Sequence, residues 1–162
     1  MADAALLDAA LAGPPALERA LGVGVEDGWD TFPRSLVRAR ERLAIDPGTA
    51  RWGSRLFVGD EPPALVGWGG FKGPPRDGAV ELGYAIAPAR RGRGLATAAV
   101  RALLREALAD PSVHAVIAHT LPEPGPSPRV LEKAGFAREG DVTDEQGRAV
   151  WRFRILDGAL PA

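Results

Sequence analysis

The stretch from Glu81 to Arg101, ELGYAIAPARRGRGLATAAVR, holds the residues best suited to chemistry. Period-two alternation predicts a strand over 79–87. Val80, Leu82, Tyr84 and Ile86 lie on one face, and Glu81, Gly83, Ala85 and Ala87 on the other. Pro88 ends the strand. A loop with Gly92 and Gly94 then feeds directly into an amphipathic helix reaching about Ala109. Such a loop exposes several backbone N–H groups. Together with the helix dipole they attract an anion such as a phosphate or pyrophosphate. Gly92 and Gly94 let the ligand approach the backbone, and Arg90, Arg91 and Arg93 add positive charge. A nucleotide-hydrolysing loop would continue Gly-Lys-Ser/Thr, but Gly94 is followed by Leu95-Ala96. A dinucleotide loop would need glycine where Thr97 stands. The plainer alternative is a glycine-softened surface loop with solvated arginines.

Other chemistry is scarce. The 162 residues include no Cys and only two His, His114 and His119, which argues against disulfides, a Cys nucleophile and a dedicated metal site. Twenty Lys+Arg against 21 Asp+Glu leave a net charge of -1, so no basic field points to nucleic acid. No apolar run approaches the roughly 20 residues that span a bilayer. The first residues lack the basic and apolar regions of a secretory signal, so the expectation is a cytoplasmic protein. Lys72 and Lys133 are the only lysines, and Ala, Gly, Pro and Arg abound, the codon bias of a GC-rich bacterial genome.

Around this stretch the pattern predicts one α+β domain, a mixed, mostly antiparallel sheet of about six to seven strands flanked by about four helices. Helical signals cover 4–12, a turn at 16–21, and a segment before Pro47-Gly48 that starts either with Ser35 as cap or with Pro33 in its first turn. Strands follow at 54–59 and 64–71, joined by the turn Asp60 to Pro63. Gly67, Gly69 and Gly70 in the second of them predict a bulge or a close backbone approach. Later come a buried strand over 113–120 and a rigid loop, LPEPGP. A short helix is predicted over 127–134 with Pro128 first and Gly135 just past its end, then strands over 136–141 and 149–155.

Glu81 to Val100 resembles the acetyl-CoA-binding core of the GNAT N-acetyltransferase superfamily. That family's loop reads Arg/Gln-x-x-Gly-x-Gly/Ala, met here by Arg91, Gly94 and Ala96. The segment His119 to Phe136 resembles a second block, Asn-x-x-Ser-x-x-Val-Leu-x-Lys-x-Gly-Phe, through Ser127, Val130, Leu131, Lys133, Gly135 and Phe136. With its flanking strands the resemblance covers roughly 54–155, and it is nearest the ribosomal-protein N-terminal acetyltransferase (Rim-type) branch. Two departures stand out. The Asn before Ser127 is replaced by Pro124 or Gly125, and Leu131 occupies the place where some relatives carry a Tyr that protonates the leaving thiolate.

The resemblance implies a GNAT fold, with 1–50 as a helical acceptor-side segment and 54–155 as the acetyl-CoA-binding core. It implies direct attack of a primary amine, on a protein N-terminus or a small molecule, on the thioester of acetyl-CoA. The cofactor would be held by Ala85, Ile86, Ala87, Arg91, Gly92, Arg93, Gly94, Leu95, Ala96, Thr97 and Ser127. A backbone N–H within Ala85–Ala87 would stabilise the oxyanion. Glu81 is the first candidate base, against a solvated strand charge or structural ion pair. Glu123 and His119 are weaker candidates, and His114 has no role. Ser127 reads either as a hydroxyl near the CoA thiol or as the cap of the helix at Pro128. Trp29, Phe32 and Trp68 either line the acceptor pocket or fill the core. The expected partners are acetyl-CoA and an amine, with no nucleic acid and no membrane. A homodimer through the final strand is a further possibility. The alternatives are a non-catalytic acyl-CoA-binding module and, last, a nucleic-acid binder using Arg90, Arg91 and Arg93.

Overall fold

The segment Ala64 to Phe71 is buried along its whole length, so its sequence is almost continuously apolar rather than alternating. It forms most of β3 (Pro63–Phe71) in a computed structural model that describes residues 1–156 and Gly158. The described residues hold seven strands and five α-helices, hydrogen-bonded in the strand order β1-β3-β4-β5-β7-β6 with β2 also on β3. They divide into two compact units. One comprises 1–74 and 84–96; the other comprises 75–83 and the chain from Thr97 onward. The division runs through β4 (Ala79–Ile86).

In the first unit, α1 (Ala4–Ala12) is capped by Asp3, whose carboxylate accepts from Leu6 N at 2.9 Å. Gly13 turns the chain into α2 (Pro14–Leu21), and α3 (Pro33–Ile45) starts with Pro33 in its first turn, not with Ser35 as cap. Arg40 on α3 grips both carboxylate oxygens of Asp8 on α1, at 2.6 and 3.1 Å. A two-residue strand, β1 (Gly24–Val25), runs parallel to Ala64–Leu65. Two residues are too few to leave a period in the sequence. The core gathers Leu7, Leu17, Trp29, Leu36, Leu65, Trp68, Ala85 and Ala87.

The hairpin of β2 (Ser54–Asp60) and β3 carries both features expected from its glycines. Its register shifts between Phe57 and Val58. A Cβ on Gly67 would collide with the carbonyl of Ala85 and stand 3.0 Å from Ile86 Cα. Only glycine lets these backbones come so close.

In the second unit the first half of β4 pairs in parallel with β5 (Ala115–Thr120), Glu81 standing opposite Ile117. β5 pairs antiparallel with β7 (Ala149–Leu156), and β7 with β6 (Ala137–Thr143). The helix α4 (Leu95–Leu108) buries Val100, Leu103, Leu104 and Ala107, the stripe its periodicity predicts. α5 (Pro126–Lys133) starts two residues earlier than Pro128, because the first-turn N–H groups of a helix have no intrahelical partner and two prolines fit there. Gly135 follows with a left-handed φ of 99°. No helix among the described residues is long and apolar enough to cross a membrane.

Candidate active site

Gly92 and Gly94 have φ of 76° and 79°, the left-handed region that glycine enters without penalty. A Cβ built on either would meet nothing within 4 Å. The backbone between them is therefore open, and α4 begins at the next residue, Leu95. Exposed peptide groups, two glycines and a helix start form a cradle of the kind an anionic group needs. Thr97 is the third residue of α4 and half-buried; Ala96 is half-buried as well.

The three arginines of this loop do different things. Arg90 is buried. Its Nε donates to Glu26 Oε1 at 2.7 Å, and its terminal nitrogens donate to the carbonyls of Glu61 (2.9 Å) and Pro62 (3.4 Å). It is a structural clamp, so the expected charge for a ligand falls to Arg91 and Arg93, both exposed. Arg91 Nε donates to Ile86 O at 2.9 Å, tying the loop back to the end of β4. At that strand end Ala87 N donates to Val66 O at 2.8 Å, so this amide is already committed.

The second unit brings together two residues that the sequence offers only as separate candidates. His119 Nδ1 lies 2.8 Å from Glu81 Oε1. The side chains are 18% and 23% exposed, so each is sheltered yet reachable. The parallel register explains the meeting. Glu81 stands opposite Ile117, and His119 is the next residue on that face of β5. On the other side His119 stands opposite Arg152 of β7, whose guanidinium lies 3.0 Å from Glu139. Composition or period could not reveal this pairing, because it depends on which strands are neighbours.

Ser127 lies inside α5, two residues after the cap Gly125, so the reading of Ser127 as a helix cap is corrected. The cap position moved because the helix begins at Pro126. Its side chain is exposed, as is that of Glu123 in the preceding loop. Leu131 is fully buried on α5, the packing expected of a leucine and not of a proton donor. His114 packs its ring against Gly78. Among the three aromatics, Trp68 is buried in the core and Phe32 is exposed. Trp29 is buried too, and it borders a cavity of about 210 Å³ with Glu26, Asp27 and Asp30, acidic residues that no motif in the sequence marks.

Comparison with known proteins gives a consistent result. Residues 2–137 match the family described as acetyltransferase (GNAT) domain. The chain is 30% identical over 137 residues to the uncharacterized N-acetyltransferase YjdG of Bacillus subtilis (strain 168), covering 83% of this chain and 82% of that protein. Among solved structures it is similar to aminoglycoside acetyltransferase AAC(6')-Ib in complex with coenzyme A and kanamycin, at 25% identity and a TM-score of 0.61, covering 76% of this chain and 78% of that one. The ribosomal-protein-S5-alanine acetyltransferase of Vibrio fischeri shares the fold, with a TM-score of 0.62 at 16% identity over 80% of this chain and 72% of that one.

Proposed function

The chain belongs to the GNAT acetyltransferases, and from that premise we propose that it transfers an acetyl group from acetyl-CoA to a primary amine by direct attack. The observation that carries the reading is the open loop at Gly92 and Gly94, which has the backbone conformation and the clearance that a pyrophosphate requires. Arg91 to Ala96, with Thr97, hold that group; Arg91 and Arg93 balance its charge. Bound acetyl-CoA supplies an activated acyl group with a good leaving thiolate. The Ala87 amide is engaged with Val66 O, so the oxyanion is assigned to a backbone N–H of Ala85 or Ile86. Ser127 is assigned to the thiol end of the cofactor, and residues 1–50 to acceptor selection.

The acceptor sets how much base is needed. Deprotonating a lysine amine at pH 7 costs about 4–5 kcal/mol, but an α-amine costs only about 1–1.4 kcal/mol. A protein N-terminus is therefore the acceptor class that asks least of this site, with small-molecule amines next. The buried Leu131, where some relatives carry a proton-donating Tyr, favours a second reading, an acyl-CoA-binding module without turnover.

Calorimetric titration with acetyl-CoA, with CoA and dephospho-CoA as controls, tests the donor site. A panel of amines and N-terminal peptides assayed for thiol release then tests turnover. Micromolar binding with thiol release is expected. Binding without release from any amine supports the module reading, and no binding by folded protein overturns both.

A further inference from the structure

Resting on the acetyltransferase reading, we propose that His119 Nε2 is the atom that takes the acceptor's proton and that Glu81 is its positioning residue. A carboxylate oxygen can only accept a hydrogen bond, so the 2.8 Å contact places the ring proton on Nδ1. In the neutral ring Nε2 then carries a lone pair, and it has no hydrogen-bond partner among the described residues. The 18% exposure of the side chain lets a small amine or a water reach the ring. This moves the base from Glu81, the first candidate expected from sequence, to His119, a weaker one. Glu81 fixes the tautomer and orientation, and the imidazole does the proton transfer. The charged neighbours are Arg152, opposite His119 on β7, and Glu139 of β6, which engages that arginine.

The step balances as follows. The nitrogen lone pair of the amine forms the C–N bond while the acetyl C–S bond breaks, its electron pair leaving on sulfur. The proton shed by nitrogen passes to Nε2 and returns through solvent to the thiolate. The dyad also explains how a chain without tyrosine at 131 can work, since this route needs no dedicated acid there.

Two measurements test the dyad. Nitrogen-15 NMR of the ligand-free protein, with His114→Gln assigning the second ring, reads the tautomer. The expected result is Nδ1–H in the wild type, moving towards Nε2–H in Glu81→Gln because the Gln amide can donate to Nδ1. An Nε2–H ring in the wild type overturns the proposal. His119→Asn keeps a side-chain N–H for Glu81 but removes Nε2. It is expected to lower kcat by about 10²–10³-fold with unchanged acetyl-CoA affinity and melting temperature. A His119→Asn enzyme within about threefold of wild type would return the base to Glu81. Failure of the acetyltransferase reading shows elsewhere, as wild-type protein that does not bind acetyl-CoA, and the ring tautomer is still decided.

Discussion

A side chain at Gly94 has room but the wrong backbone. Its Cβ would touch nothing, yet φ of 79° costs a non-glycine residue about 1–3 kcal/mol. Gly94→Trp is therefore expected to fold with a somewhat lower melting temperature. Its indole would fill the cradle and weaken acetyl-CoA binding at least 100-fold by calorimetry, and unchanged affinity in folded protein would refute the placement of the pyrophosphate. The loop at the two glycines was legible in the sequence because its signal is local. Arg90 was not. It looks like Arg91 and Arg93 until its partner Glu26, 64 residues away, is known. His119 was legible as a candidate but not as a partner of Glu81, for the same reason.

Element by element, the sequence pattern is a good guide wherever a period has room to show. α4, β4 and the β2–β3 hairpin lie where alternation and apolar stripes put them, within a residue or two. β1 has no room, and α5 begins where its first proline allows, which took the cap away from Ser127. The turn between β6 and β7 adds a pH dependence of its own. The Asp144 carboxylate accepts from the Arg148 side chain and from the backbone N–H groups of Arg148 and Gln146. The bond from the Arg148 side chain is the main reason its pKa falls from 3.8 to about 2. A lowered folded-state pKa means stability that is present above the unfolded value and is lost as pH falls through the folded one. Urea midpoints are therefore expected to decline between about pH 4 and pH 2, and Asp144→Asn should flatten that decline. An identical pH profile in the variant would show that the turn contributes nothing to acid sensitivity.

Gly92 and Gly94 lie in one compact unit, and Glu81 and His119 in the other. The family was legible from two motifs in order, but the acceptor was not, since acceptor choice depends on side chains that no short motif encodes. Arg90 has one more consequence, and it concerns rates. Its contacts join residues 28, 29 and 64 positions apart, so each closes a long loop of chain. Loop closure of that length is entropically late, after the local hairpin has formed. A contact absent from the folding barrier shows its loss on the unfolding side alone. Stopped-flow kinetics of Arg90→Met should accordingly find unfolding accelerated several-fold and refolding nearly unchanged; slowed refolding would mean that this clamp is set before the barrier is crossed.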